Sequence, residues 1–292
     1  MSSMVSGINY SLLFSTGSAS DIDSEMLSTL YSGTSSSLPT SNFVSSGNPL
    51  TDLKLAQQVE TTEVAQVAKQ PLVANAISEF KTVVGNATSI QTALANPAVQ
   101  QVLLTANGLS SYIGETALVQ KLLLSDPNDL NSLVNKFGDA AWMSTVQTYD
   151  FATKGLAELQ NPQVVSTLTN GYAEVQWRQS LDQATPGLSN ALTFLGQASS
   201  IKSVNDILDN MTNFEVVTTA LGIPTAIVNQ DSSAQSSAIT SRLDISKLQD
   251  RNYVTSLTDQ YLLTMQAYNA TSSASSGTSL EALAVKAGGL MV

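Results

Sequence analysis

Lys121–Trp142 reads KLLLSDPNDLNSLVNKFGDAAW, and its punctuation decides the class of fold. Asp126 stands before Pro127, with Asp129 three residues after the first acid. An acidic N-cap, a proline at the first helical position and a carboxylate near the positive helix end predict a helix start. Leu130, Leu133, Val134 and Phe137 follow at i, i+3, i+4 and i+7, one face of an α-helix. Gly138 predicts the stop, because it accepts a left-handed backbone. Asp139 predicts the next cap, and Trp142, Val146 and Tyr149 again share one side. The whole stretch is packing and punctuation, with no reactive constellation in it.

Outward from this stretch the same grammar repeats. Toward the N-terminus, Leu55, Val59, Val64 and Val67 predict a helix after Pro49, interrupted at Pro71. Ala76, Ile77, Phe80, Val83 and Val84 make a second apolar face running to Gly85. Ser89 opens a short helix, and Asn96–Pro97 opens another that Asn107–Gly108 ends. Leu118, Val119, Leu122 and Leu123 lead into the central stretch. Toward the C-terminus, Val164–Trp177 reads as a helix with Val164, Val165, Leu168, Tyr172 and Val175 inward. Pro186 opens the next, and further stripes run through Ile207, Phe214 and Val217 to a stop at Gly222. Asp250 caps a last strong stripe of Tyr253, Leu257, Tyr261 and Leu262. Thr271–Thr278 reads as a Ser-rich linker, and Leu280–Val292 as a short apolar tail able to dock as a helix.

The two halves resemble each other. Phe80, Ile90, Leu94, Ala106 and Gly108 match Phe194, Val204, Leu208, Ala220 and Gly222 at one constant spacing. Lys136, Asp139 and Trp142 match Lys247, Asp250 and Tyr253 at a spacing three residues shorter. Stripes of buried aliphatics are worth about 1.5–3 kcal/mol per side chain, whereas a cap is worth about 1 kcal/mol. The stripes therefore set the fold and the caps set its boundaries. With no useful β-alternation, the expectation is an all-α, multihelical bundle of two similar structural repeats. Four segments follow: a Ser-rich low-charge stretch over 1–50, helical repeats over 51–155 and 156–266, and a linker with an apolar tail over 267–292.

Met1–Leu50 is different material, about one-third Ser and without Lys or Arg. It buries too little apolar surface to offset its ordering entropy, so a flexible segment is expected. Asp21, Asp23 and Glu25 precede a helical group, Met26, Leu27, Leu30 and Tyr31. Two readings fit: a disordered tail with one marginal helix, or an export or docking segment that orders against a partner.

Composition narrows the chemistry. The 292-residue chain is 42% hydrophobic but only 12% charged, with a net charge of −11, no Cys and no His. Disulfides, thiol nucleophiles and zinc–thiolate sites are excluded, as are histidine bases and histidine metal ligands. The negative charge, with no basic cluster, argues against nucleic acid and anionic membrane surfaces as partners. No apolar run approaches the roughly 18 residues that cross a bilayer, and Met1–Ser20 lacks the basic start of a secretory signal.

Candidate catalytic features each have a plainer reading. Asp126, Asp129 and Asp139 are spaced as caps, and Asp206 and Asp209 sit near a helix start. Asp126–Asp129 lacks the glycine and distal Glu of a calcium loop. Ser132 and Lys136 lie one turn apart, where a solvated lysine is the ordinary case. Trp142 and Trp177 sit on apolar stripes and read as core. Asn86, Asn210 and Asn269 begin N-x-Thr triplets that carry no weight here. Glycine-rich phosphate loops and a GxSxG elbow are missing from the sequence. The expectation is no enzyme: no catalytic residues, no metal site and no cofactor.

The motifs VLLTANGL, LVQKLLLSDPNDLNSLVNKFGDAAW and the pair Tyr149/Phe151 resemble a bacterial family known as domain of unknown function 1217. The second set, SVNDILDN, EVVTTALGIP and RLDISKLQDRNY, is similar to that family's second unit, and the resemblance spans about Pro71–Tyr261. It implies a multihelical fold of two repeats and, by association, a flagellum-related role. The expected partners are then proteins, flagellar components first, with no membrane insertion and with self-association left open. The expected location is the flagellum or the exterior, with a cytoplasmic helical adaptor or assembly factor as the alternative.

Overall fold

A computed structural model describes Pro39 and residues 42–277, the last seven as backbone only. Contacts divide the chain into Met1–Leu38 and Pro39–Val292, and the described residues all belong to the second unit. The helical N-terminal group around Met26–Tyr31 and the apolar tail Leu280–Val292 lie outside the described residues.

The described residues form helices joined by turns, with no strand among them. Helix α1 spans Pro49–Val67, α2 Pro71–Asn86, α3 Ile90–Ala95, α4 Pro97–Ala106 and α5 Thr116–Leu123. Then come α6 Leu133–Phe137, α7 Ala140–Tyr149, α8 Phe151–Lys154 and α9 Leu156–Leu159. The long α10, Pro162–Leu181, leads into α11 Leu188–Gln197, α12 Val204–Leu208, α13 Met211–Ala220, α14 Ser232–Thr240 and α15 Arg251–Gly277.

Helix α10 is the axis of the packing. It lies against α4 most extensively, and also against α1, α2 and α11. Its inner face carries Leu168, Tyr172, Ala173, Trp177 and Leu181. Gly171 permits the close approach to α4, because a Cβ there would meet the Ala106 Cβ at 3.2 Å. One hydrophobic core runs from Leu53 to Leu262, with Trp142, Trp177, Phe80, Phe151 and Phe194 fully buried in it. The indole N–H groups of Trp142 and Trp177 meet no acceptor, so both rings serve as apolar volume.

Caps recur at matching sequence positions in the two halves, the serine and glycine caps with the same hydrogen bonds and the asparagine caps with bonds one residue apart. Ser89 Oγ accepts from Thr92 N and Ser203 Oγ from Asp206 N. Asn96 Oδ1 accepts from Ala98 N at the head of α4, and Asn210 Oδ1 from Asn213 N at the head of α13. Leu109 N donates to Leu104 O at 2.8 Å after Gly108, and Ile223 N donates to Thr218 O at 2.8 Å after Gly222. Both glycines are left-handed, which an L side chain resists.

The central stretch departs from its expected form. The helix begins at Leu133, not at Pro127, and Leu130 is 83% exposed instead of lying in the stripe. The side chains of this run compete with the helix for its own backbone. Asp126 Oδ1 accepts from Asn128 N, and Asp129 Oδ1 from Asn131 N. Asn135 Nδ2 donates to the carbonyls of Pro127 and Asp129, each at 2.9 Å. Consecutive Asx turns thus hold Asp126–Ser132 as a loop. Gly138 stops α6 at φ 74°, and Asp139 Oδ1 caps α7 through Ala141 N and Trp142 N.

Four other expectations are corrected. Leu55 is exposed, because α1 turns Leu53 and Ala56 inward instead. Val164, Val165 and Val175 are only half-buried on α10. The helix expected from Pro186 starts at Leu188, since Gly187 sits at φ 87°. The backbone of α15 stays helical through Gly277, where a Ser-rich linker was expected from Thr271.

Candidate functional site

The chain enters α1 through an extended strap, residues 42–46, that runs back along the helix it precedes. Asn42 N donates to Glu63 Oε2, and Asn42 Nδ2 to Gln66 Oε1 at 2.7 Å. Four residues later, Ser46 N reaches Asp52, at the opposite end of the same helix. The strap therefore lies antiparallel to α1, close to full extension. Gly47, at φ 79°, reverses the chain, and Asn48 caps α1 through Leu50 N and Thr51 N.

Asp52 is the centre of a polar junction. It is 0% exposed, yet the described residues place no cation in an ion pair with it. Ser45 Oγ donates to its Oδ2 at 2.5 Å, and Ser46 N to its Oδ1 at 2.7 Å. Thr185 Oγ1 lies 2.6 Å from Oδ2 and 3.0 Å from Ser45 Oγ, so its one proton goes to the carboxylate. Burial raises this carboxyl group, but the hydrogen bonds from Ser45, Thr185 and Ser46 together outweigh it and hold it below the usual carboxylate range. A carboxylate so satisfied is a weak base. The arrangement suits holding a chain in place better than moving a proton.

Thr185 belongs to the turn between α10 and α11, which a second carboxylate shapes. Asp182 accepts from Ser189 N at 2.9 Å and from Ser189 Oγ. Burial pushes the Asp182 carboxyl up, against the hydrogen bonds from Ser189, Gly187 and Leu188. Beyond it Tyr261 of α15 is fully buried, its Oη 3.3 Å from Glu215 Oε1. Asn190 Nδ2 bridges to Glu215 Oε2 at 3.1 Å. Burial and the Glu215 charge push the Tyr261 phenol well up, so it stays a neutral donor. Gly187 fits between these groups only because it has no side chain: a Cβ there would sit 2.9 Å from the Tyr261 hydroxyl.

A pocket of about 130 Å³ lies beside this junction, lined by Ser45, Gly47, Asp52, Thr185, Leu262 and Gln266 among others. An open groove of about 430 Å³ lies between α2 and α10, where Lys81, Val84 and Gly85 face Gln160, Pro162 and Val165.

The acids singled out from the sequence are placed apart from this junction. Asp126 and Asp129 close their own turns, and Asp139 caps α7. Asp206 closes a capping box with Ser203. Asp209 is raised by burial and then by the charges of Asp139 and Asp206. No group of three or more potential metal ligands forms among the described residues. Ser132 accepts from Asn135, and Asn210 is the α13 cap. Asp52 was not singled out from the sequence. Its signal, an acid in the first turn after Asn48–Pro49, reads as a solvated favour to the helix dipole. Only Thr185, far along the chain, shows otherwise.

Among the described residues no helix is long and apolar enough to cross a membrane. A family model described as "Protein of unknown function (DUF1217)" matches residues 106–254, about half of the chain. The solved crystal structure of protein AGR_C_984 from Agrobacterium tumefaciens is similar, with a TM-score of 0.66 and 25% sequence identity. That likeness covers 80% of this chain and 99% of the other. No curated protein matches the chain.

Proposed function

This chain belongs to the family described as protein of unknown function (DUF1217), and from that premise we propose that it is a non-enzymatic structural or interaction protein of the bacterial flagellum, exported by the flagellar apparatus. The observation that carries the non-enzymatic part is the use made of the buried polar groups. Asp52, Ser45 and Thr185 are engaged with one another in joining the strap to the helices. The flagellar association comes from the family resemblance read in the sequence. A Cys-free chain of low charge with a Ser-rich leader also suits passage through a narrow channel, which requires an unfolded polymer. The two halves are read as copies of one helical unit, and the recurrence of the Ser, Asn and Gly caps supports this.

The test is the amount of protein in filaments and culture supernatant from an intact strain and from an export-deficient one. Enrichment in the intact strain is expected, and equal amounts would remove the exported reading.

The open groove between α2 and α10 favours a second reading, a cytoplasmic adaptor that seats a partner helix. Deleting Met1–Leu38 separates the two, because it leaves the strap and the Asn48 cap in place. Lost localisation with intact helicity supports export. Unchanged localisation supports the adaptor.

A further inference from the structure

We propose that residues 42–47 form a latch, closed on Asp52, that opens as one piece while the helices behind it stay packed. The strap is anchored mostly by polar contacts. Asn42 is tied to Glu63 and Gln66, and Ser45 and Ser46 to Asp52. Val44 is 78% exposed, and Phe43 is only partly buried against the core. Apolar burial, the dominant force elsewhere in the unit, is therefore weak here.

The strap also has a hinge and a separate boundary. Gly47 takes a positive φ that suits glycine, and Ser46 Oγ is bonded to Asn48 O and Asn48 N across it, so the hinge opens as those two bonds break. Asn48, on the far side of that hinge, supplies the α1 cap from its own side chain. Opening the strap thus leaves the first turn of α1 capped. Gln266 Nε2, bonded to Gly47 O at 3.3 Å, keeps the hinge itself against α15.

Asp52 is the point of closure because three donors converge on it from two distant places in the chain. Removing it leaves three donors without their acceptor, and two of those belong to the strap. When the latch is open, residues 42–46 leave α1 and span about 17 Å from Gly47 at full extension.

The experiment is amide hydrogen exchange by mass spectrometry on the full-length chain and on Asp52→Ala, with circular dichroism as the control for helicity. The variant is expected to exchange at residues 42–48 at least tenfold faster, while amides in α4, α10 and α13 change by less than twofold. Strap and helices accelerating together would overturn the proposal, as would an unchanged strap. If Asp52→Ala does not fold, native-state exchange of the wild-type chain in low denaturant decides the matter. Strap amides that open without dependence on denaturant support the latch, and strap amides that exchange only with the helices overturn it.

Discussion

Ser89, Asn96 and Gly108 punctuate the first half of the helical unit, and Ser203, Asn210 and Gly222 punctuate the second; the serine and glycine bonds coincide, while Asn96 accepts from Ala98 N and Asn210 from Asn213 N, one position further on. Past those glycines the halves part company. Helix α5 buries Val119, Leu122 and Leu123, whereas α14, next in the corresponding order, is Ser-rich and buries Ile239 alone. Helix α7 buries Trp142 completely and ends at Asp150, a left-handed non-glycine residue. Helix α15, whose Tyr253 matches Trp142 in sequence spacing, runs far longer, and Tyr253 is half-buried beneath Lys247 Nζ at 5.6 Å. The difference separates two kinds of information. A cap closes within a few residues, so it recurs wherever the same residues recur. Burial depends on what distant chain lies opposite, so it diverges even where the sequence pattern holds.

Substitutions can test that separation, and the largest effect is expected in the core. Trp142→Ala should cost about 3–5 kcal/mol in urea unfolding, and Tyr253→Ala roughly 1 kcal/mol. Equal losses would mean that the halves are packed alike. Gly187→Ala comes next, at about 2–4 kcal/mol, since it meets both a positive φ and the Tyr261 hydroxyl. Gly222→Ala has the positive φ but open space, so about 1 kcal/mol is expected. A Gly187 loss no larger than that would show that the Tyr261 contact is easily relieved.

Asp52→Asn should cost about 1–3 kcal/mol at pH 7, and the sign of its pH dependence follows from linkage. The folded-state carboxyl lies below its ordinary 3.8, so its stabilising contribution is present above that value and is lost as pH falls through the folded one. Thermal melts of the two proteins should therefore converge in acid. A gap as wide in strong acid as at neutrality would show that charge is not what Asp52 contributes. Asn96→Ala and Asn210→Ala should each cost about 1 kcal/mol, and the double variant about their sum. Clearly unequal costs would sharpen the comparison, by showing that tertiary context weights even a local cap. The smallest effect is expected at Leu130→Ser, within about 0.5 kcal/mol, because the side chain is in solvent.

Much of the fold was legible in the chain. The stops at Gly108, Gly138 and Gly222 and the caps at Asn96 and Asp139 needed only local chemistry. Stripes such as Trp142, Val146 and Tyr149 were legible because helical spacing brings their members together. The DPNDLN run misled, since the features that start a helix also form Asx turns, and only the neighbouring Asn135 settles the competition. Leu55 misled because an amphipathic count cannot choose between two adjacent apolar faces when Leu53 and Ala56 are also available. The junction at Asp52 was not legible. An acid in a first turn looks solvated until Thr185 is known to arrive beside it.

The sequence alone determined that this protein is helical, where most of its helices stop, and that cysteine and histidine chemistry is closed to it. Those properties follow from composition and from interactions a few residues long. Only the tertiary structure decided which apolar faces are covered, that α10 is the axis on which α1, α4 and α11 pack, and that a carboxylate near the start of α1 is sealed by a hydroxyl from the α10–α11 turn. Burial, and the hydrogen bonds that make a buried charge tolerable, are properties of residues brought together from far apart, and no local pattern specifies that meeting.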